Sequence, residues 1–228
     1  TAEAGLTADM QHAARLGVCA YSIVTALTCQ DAVAFTRLTA VADTDLIEAV
    51  RALRRQSPPQ VAKIGLIASL HQLRLLVREI RALFPACRIV WDPILRTSSG
   101  TGLLRDASRE SLLEVAELVD VILPNRYEYR QLFGESIPHE WADRTATAVV
   151  AKSASSTEKD ITDRAYLPDG RLIESTAPRL GEDRHGTGCL YATTLCAALA
   201  RGEDYQEALH AAQRATMHYR LGRGLEAP

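Results

Sequence analysis

Short, almost continuous apolar runs recur along the chain, and stretches with helical periodicity separate them. Five of these runs predict strands, at residues 21–27, 61–67, 88–94, 119–124 and 147–152. Apolar runs that lack an alternating polar face are typical of strands covered on both sides, as in a parallel sheet.

Between these runs, apolar side chains recur at helical spacing and predict helices at residues 7–16, 45–56, 70–83, 108–118, 190–200 and 205–219. Alternating strands and helices indicate a three-layer α/β sandwich with right-handed crossovers and a mostly parallel central sheet. Around the turn Pro168-Asp169-Gly170 the pattern changes and predicts an antiparallel hairpin at the sheet edge, over residues 166–173. With no repeat and no linker, residues 1–228 are predicted to form one domain.

Composition excludes several classes of protein. Hydrophobic residues make up 47% of the chain and charged residues 24%, and the formal net charge is -2. This balance argues against partners held mainly by charge, such as nucleic acid or an anionic membrane surface. No apolar run is long enough to cross a bilayer, and the first residues do not form a secretory signal. The five cysteines are scattered without metal-ligand spacing, which predicts a reduced, cytoplasmic protein.

The sharpest local signal is the segment His185-Gly186-Thr187-Gly188-Cys189, which directly precedes an apolar helix rich in small residues. A glycine-rich turn at a helix start exposes backbone N–H groups, and together with the helix dipole these attract an anion. The segment has neither the lysine of a Walker loop nor the third glycine of a dinucleotide fingerprint. Taken alone, such a segment is more often a tight turn without a ligand.

Cys189 adds a chemical group to this turn. In the first turn of a helix, the dipole stabilises a thiolate and lowers the pKa of the thiol. A thiolate there could accept the proton of a hydroxyl group that attacks a phosphoryl group. The other cysteines have apolar neighbours in the sequence and are predicted to be small core residues: Cys19, Cys29, Cys87 and Cys196.

Two predicted strands end in polar residues. Asp92 follows one of them, and Asn125 and Glu128 follow the next. In open α/β sheets ligands gather where strands end, and a carboxylate buried there is unfavourable without a cation or hydrogen bonds. For Asp92 and Asn125, the alternative that they only cap helices is equally strong.

These segments occur in an order that resembles the hydroxymethylpyrimidine and phosphomethylpyrimidine kinases of thiamine biosynthesis, which belong to the ribokinase superfamily. The resemblance covers nearly the whole chain. It depends most on the Gly-Thr-Gly-Cys turn, the Asn-x-x-Glu pair and the segment Ala-Leu-Thr-Cys-Gln. Shorter matches are Ala-Asp near the start, Lys-Ile-Gly-Leu at 63–66 and Trp-Asp-Pro at 91–93.

The resemblance implies a ribokinase-like fold and a kinase that uses ATP and Mg²⁺. The implied reaction transfers the γ-phosphoryl group to the hydroxymethyl group of 4-amino-5-hydroxymethyl-2-methylpyrimidine, and the same site then phosphorylates the monophosphate. The amides of Gly186, Thr187 and Gly188 would form the anion hole for the moving phosphoryl group, and Cys189 would be the base.

The other implied roles divide into two sides. On the ATP side, Asn125, Glu128 and Asp92 would organise Mg²⁺, largely through water, and Lys152 would join them near the phosphates. On the substrate side, the resemblance implies Gln30, Asp9 and Gly5, and the amide of Gln30 would hydrogen-bond the aminopyrimidine edge.

The chain departs from the family in two ligand-facing loops. Family members open with a strand and a glycine-rich loop, whereas this sequence starts inside that region and clearly retains only Gly5 of the glycines. After the fifth predicted strand, the usual Lys-Gly-Gly-His is replaced by Lys152-Ser153-Ala154-Ser155. The anion hole is unaffected by either change.

Three functions remain open from the sequence. The first is the hydroxymethylpyrimidine (phosphate) kinase. The second is a pyridoxal-type kinase of the same superfamily, and the third is a diverged binding protein for a pyrimidine or nucleotide without turnover. The resemblance also implies a homodimer.

Overall fold

The structure, a computed structural model, describes residues 5–30, 35–97, 100–104, 107–181 and 184–222. In chain order its elements are α1 (Gly5–Arg15), β1 (Ala26–Gln30), β2 (Phe35–Ala40), α2 (Asp43–Ala52), β3 (Val61–Ile64), α3 (Leu70–Leu83), β4 (Arg88–Trp91), α4 (Arg109–Ala116), β5 (Val121–Ile122), α5 (Arg126–Phe133), α6 (His139–Thr145), β6 (Ala148–Ser156), β7 (Asp160–Tyr166), β8 (Leu172–Pro178), α7 (Thr187–Ala200) and α8 (Tyr205–Arg220). A 3-10 turn, Leu53–Arg55, prolongs α2.

Six strands form the central sheet in the order β3-β4-β5-β6-β7-β8. The pairs from β3 to β6 are parallel, whereas β6, β7 and β8 pair in antiparallel fashion. Each strand therefore neighbours the next strand along the chain. Because parallel crossovers are right-handed, the connecting helices between β3 and β6 all lie on one face of the sheet, and the other face is left for α7 and α8.

An apolar core lies on each face of the sheet. Trp91 and Ile122 point into the core that α2 to α5 cover, and their neighbours Val90 and Val121 point into the core that α7 and α8 cover. Successive side chains of a strand point to opposite faces, so strands buried on both faces need continuous apolar runs. Helix α7 is buried from Leu190 to Leu199, which explains why it is apolar on all sides.

Strands β1 and β2 form a separate antiparallel ribbon. The side-chain amide of Gln72, in the first turn of α3, holds the end of the ribbon where β1 begins and β2 ends. Its Nε2 donates to the carbonyl oxygen of Thr25 at 2.9 Å and to that of Val41 at 3.4 Å. This contact fixes that end of the ribbon to the start of α3.

The predicted fold class is confirmed, with helices on both faces of a mostly parallel sheet. The helix predicted at 70–83 coincides with α3, and the hairpin predicted at 166–173 is the β7–β8 connection, although both strands extend further. The strand predicted at 21–27 is wrong over 21–25, which form neither helix nor strand. The sequence patterns also missed β2, α5 and α6, because a half-exposed strand and helices of 8 and 7 residues carry little periodicity.

In the part of the chain that the structure describes, no helix combines the length and the apolar character that crossing a bilayer requires. That residues 1–228 form one domain stays a prediction.

Candidate active site

The predicted glycine turn lies at the start of α7. Gly186 precedes the helix with a φ of 88°, in the left-handed region that glycine adopts without strain. No described side chain caps this helix end, and helix geometry leaves the N–H groups of Gly188 and Cys189 without an intrahelical acceptor. A Cβ placed on Gly188 would meet no described atom within 4 Å. Open space therefore lies at Gly188 beside these donors, as at anion-binding helix starts.

The residues just before α7 are held in place by the turn itself and by the end of α8. The carbonyl oxygen of Arg184 accepts the N–H of Thr187 at 3.3 Å and its hydroxyl at 2.6 Å. The hydroxyl of Tyr219 donates to the carbonyl oxygen of His185 at 2.9 Å. Because the N–H of Thr187 is already bonded, the amides of Gly188 and Cys189 are the better placed pair for an anion.

Cys189 lies beside two carboxylates and one ammonium group. Burial raises the pKa of its thiol; Lys63 opposes this effect, whereas Asp9 and Asp92 reinforce it. The backbone N–H of Gly5 also hydrogen-bonds the sulfur and lowers the pKa. The net shift is upward, opposite to the direction that the helix dipole alone predicted, because burial makes the largest contribution. At neutral pH the resting side chain is therefore a thiol.

Asp9, predicted on the substrate side, joins three elements. Its Oδ2 accepts from Nζ of Lys63 on β3 at 2.7 Å, and its Oδ1 accepts from the hydroxyl of Thr193 on α7 at 2.9 Å. Both carboxylate oxygens are therefore engaged by the protein. The contacts tie α1 to the helix that carries Cys189.

Two residues that the sequence assigned to the phosphates form a buried ion pair. Nζ of Lys152 donates to Oδ1 of Asp92, and the side chains of the two residues are 11% and 4% exposed. Burial raises the pKa of Glu128 to about 7; Lys152 opposes this effect and Asp92 adds to it. The three side chains form a buried cluster with two carboxyl groups and one ammonium group.

Asn125 caps helix α5. Its Oδ1 accepts the N–H groups of Tyr127 at 2.9 Å and Glu128 at 3.1 Å, and Oε2 of Glu128 accepts the N–H of Asn125 at 2.8 Å. This reciprocal arrangement is a capping box. The helix-cap alternative therefore holds for Asn125, whereas Asp92 is held by Lys152.

A cleft with an empty volume of about 820 Å³ opens beside the start of α7. Its polar end is lined by Gly188, Lys152 and Asn125, so the cleft brings together residues that the sequence assigned to the anion hole and to the phosphates. The rest of the lining mixes polar side chains of α8, such as Gln213 and Arg220, with apolar ones. The apolar side chains come from β7, β8, the segment after β8 and α8: Ile161, Ala177, Pro178, Leu180 and Met217. The amide donors at the polar end and these apolar side chains, which form the slot, suit a ligand with an anionic part and a flat apolar part.

Gln30 does not line this cleft. It is exposed at the end of β1, beside residues 31–34, which lie outside the described residues. Gly5 begins α1 and reaches the site through its backbone contact with Cys189.

Sequence reasoning missed Asp163, a buried carboxylate that lines the cleft. It accepts the N–H of Ser153 at 2.6 Å, within an irregular stretch of β6 where the pairing with β7 shifts register. Ser153 has a φ of 51°, in the left-handed region that favours glycine. The strand pattern could have identified Asp163, because it is a charged residue at a core-facing position between Ile161 and Ala165.

Groups of three or more His, Cys, Asp or Glu residues suited to a metal ion do not occur among the described residues. Asp92 and Glu128 bring two carboxyl groups near Lys152, whereas the amide oxygen of Asn125 is engaged by the cap of α5.

A sequence profile described as phosphomethylpyrimidine kinase matches residues 1–221. Among curated proteins, the chain is 29% identical to a hydroxymethylpyrimidine/phosphomethylpyrimidine kinase of Rhizobium meliloti, over 97% of this chain and 89% of that protein. It is 28% identical to a thiamine biosynthesis multifunctional protein of Corynebacterium efficiens, where the match covers 94% of this chain but spans only 30% of the relative's length.

Among solved structures, the fold is similar to that of a pyridoxal kinase from Staphylococcus aureus in complex with AMP-PCP. The TM-score is 0.78 at 20% identity, over 93% of this chain and 81% of that chain. At this identity the likeness concerns the fold alone.

Proposed function

The chain belongs to the phosphomethylpyrimidine kinase family, and from this premise we propose that it phosphorylates 4-amino-5-hydroxymethyl-2-methylpyrimidine. ATP supplies the phosphoryl group, and the hydroxymethyl oxygen of the pyrimidine or a phosphate oxygen of its monophosphate receives it. The family is one of ATP-dependent phosphotransferases, and curated relatives named as kinases of this pyrimidine support the same reaction.

One observation carries the proposal at the level of the site: a single cleft is lined by Gly188, Lys152 and the apolar slot. In the proposed complex, the triphosphate of ATP lies at the polar end. The adenine lies in the slot near Ala177 and Met217. This orientation directs the γ-phosphoryl group toward Cys189.

Phosphoryl transfer depends mostly on positioning and on neutralising charge, because the moving group is loosely bonded in the transition state. The N–H groups of Gly188 and Cys189 would bind its equatorial oxygens, where the helix dipole also favours negative charge. Lys152 would neutralise phosphate oxygens. Its ion pair with Asp92 holds the ammonium group at this end of the cleft.

The residues present fit a hydrated Mg²⁺ ion. Burial raises the pKa of Glu128 and Asp92 lies nearby, so two carboxyl groups share a low-dielectric pocket that a single ammonium group serves. Additional positive charge there is favourable, and Mg²⁺ is bound in proteins through one or two carboxylates and several waters. Asp92 and Glu128 would hold the ion, with Asn125 at the edge of the pocket. When bound, the ion would neutralise charge on the phosphates.

Cys189 would take the proton of the acceptor hydroxyl. The sulfur does so as a thiolate, a form that Lys63 and the N–H of Gly5 favour and that burial disfavours. The attacking oxygen then forms its bond to phosphorus while the bond from phosphorus to the ADP oxygen breaks. On the acceptor side, Gly5 and Asp9 would shape the pocket through their contacts with α7, and Gln30 would reach the pyrimidine from the ribbon.

Homodimer formation, a cytoplasmic location and the lack of nucleic-acid partners stay predictions. Leu27 on β1 is 63% exposed, so the β1–β2 ribbon offers an apolar side chain for a dimer contact. Light scattering of the wild type and of Leu27→Glu would test this assignment.

The function is tested by measuring ADP release with the pyrimidine, its monophosphate and pyridoxal as separate acceptors, with and without Mg²⁺. We expect Mg²⁺-dependent release with the first two. Release with pyridoxal alone would favour the pyridoxal-type kinase, and binding of ATP without release for any acceptor would favour a non-catalytic protein. Arg74→Met serves as a matched active control, since Arg74 forms an exposed ion pair with Glu114 far from the cleft.

A further inference from the structure

Helices α1 and α7 meet through two pairs of residues with the same spacing. Gly5 and Asp9 lie four residues apart on α1, as do Cys189 and Thr193 on α7, and residues at this spacing share a helix face. The N–H of Gly5 reaches the Cys189 sulfur, and Asp9 accepts from Thr193 at 2.9 Å. Gly5 therefore contacts Cys189, and one helical turn further along Asp9 contacts Thr193.

Lys63 completes this contact from β3. Its side chain is only 12% exposed, and Nζ donates to Asp9 at 2.7 Å. Burial by itself lowers the pKa of a lysine, but the carboxylate of Asp9 and the neighbouring Cys189 raise the pKa of Lys63 above its ordinary value. The ammonium group is therefore charged throughout the neutral range, although it lies in the interior.

The charged groups around Cys189 come from four elements or their ends. Lys63 on β3 and Lys152 on β6 favour the thiolate, whereas Asp9 on α1 and Asp92 after β4 favour the thiol. Lys63 and Asp9 form an ion pair with each other, so their opposite effects on the pKa of Cys189 largely cancel while both are present. Removing either one exposes the effect of the other.

We propose that Lys63 is a positioning residue of the active site, which holds the Asp9 carboxylate in contact with Thr193 and balances its charge beside Cys189. The inference rests on the proposed function in so far as Cys189 is the base there. Loss of Lys63 leaves the Asp9 carboxylate uncompensated beside the sulfur. Loss of the Asp9 charge leaves the ammonium group uncompensated.

The experiment measures iodoacetamide alkylation of each cysteine of the full chain across a pH series, with mass spectrometry resolving the sites. Because only the thiolate reacts, the midpoint of the Cys189 profile reports its pKa. We expect Lys63→Met to raise this midpoint by about one pH unit and Asp9→Asn to lower it by about as much. Lys63→Arg, which keeps the charge, should retain a midpoint close to that of the wild type.

The opposite signs distinguish an electrostatic role from general loosening, which would move both variants the same way. Cys29, exposed on the ribbon, is an internal control that should keep its midpoint in every variant, as should Cys189 in Arg74→Met. Equal or same-direction shifts for Lys63→Met and Asp9→Asn would overturn the proposal. If Lys63→Met does not fold, the Asp9→Asn and Lys63→Arg profiles still decide the matter.

This readout does not depend on turnover. Opposite shifts in a protein that phosphorylates no pyrimidine would refute the proposed function and leave the role of Lys63 intact. Turnover with the pyrimidine, without opposite shifts of the Cys189 midpoint, would support the proposed function and refute the role of Lys63.

Discussion

Lys152 and Asp92 are 60 positions apart in the sequence, yet they form a buried ion pair beneath the polar end of the cleft. Removing one partner of such a pair leaves an uncompensated charge, which is far more destabilising than never having had the pair. We expect Lys152→Met to lower the free energy of unfolding by about 3–5 kcal/mol, measured by urea denaturation. The exposed-pair control Arg74→Met should lose less than about 1 kcal/mol. Equal losses in both variants would contradict the buried arrangement.

Replacing the Cys189 thiol tests its chemical role. Cys189→Ala should lower turnover by about 10²–10⁴-fold, the usual contribution of a general base, while the affinity for ATP changes little. Cys196→Ala is the matched control, because Cys196 lies on the same helix but is buried in the core away from the cleft. Turnover of Cys189→Ala close to that of the control would remove the base assignment.

The two glycines of the turn should respond differently to alanine. Gly186 has a φ of 88°, so Gly186→Ala should lose about 1–2 kcal/mol of stability from left-handed strain. Gly188 has helical geometry and open space at its Cβ, so Gly188→Ala should keep the stability while its methyl group narrows the anion site. Thermal melts of both variants test the expected difference in stability, and initial rates test the effect of the methyl group on the anion site. A destabilised Gly188→Ala variant would contradict the expected difference in stability.

Position 153 keeps the backbone conformation of a glycine without being one. Ser153→Gly should therefore raise the free energy of unfolding by roughly 0.5–1 kcal/mol, since relief of left-handed strain exceeds the added flexibility of the unfolded chain. The neighbouring Ala154→Gly should have the opposite sign, because Ala154 has no positive φ to relieve. The denaturation midpoints of the two variants test this expectation. A change in stability of the same sign in both variants would contradict strain at Ser153.

His12 should make the protein sensitive to acid. Burial lowers the pKa of His12, and Arg15 acts in the same direction. The folded state therefore binds this proton more weakly than the unfolded state, so stability is retained above about pH 6.5 and is lost as the pH falls below that value.

His12→Phe should reduce the difference between melting temperatures at neutral pH and at about pH 5. The phenyl ring can keep the edge contact that His12 makes with Tyr219. His71→Gln, at an exposed position, is the control that should leave the acid sensitivity in place. An undiminished difference in His12→Phe would assign the acid sensitivity to other groups.

The sequence predicted best the elements whose pattern is strong and local. Helix α3 was predicted to the residue, because a long amphipathic stretch follows Ser69, which caps it through the N–H of Gln72. The β1–β2 ribbon was largely missed, because Leu27 and its neighbours on the ribbon face solvent and carry no core pattern.

At the site, motifs with local geometry were predictable and long-range electrostatics were not. The glycine turn and Lys152 were identified from the sequence and its family resemblance. Lys63 acquires its partner Asp9 from 54 positions away, and Asp163 meets Ser153 only through an irregular pairing of β6 and β7. The direction of the pKa shift of Cys189 was also wrong, because its burial follows from packing that no local pattern encodes.

The order of the central sheet affects how a nascent chain can assemble. Since each strand pairs with its predecessor, the sheet can grow strand by strand as synthesis proceeds. Helix α7 is the exception, because it returns to contact β3 and α1 near the beginning of the chain. A ribosome-bound intermediate that ends within β8 could already hold a layered sheet, but it would be catalytically inert until that late helix docks.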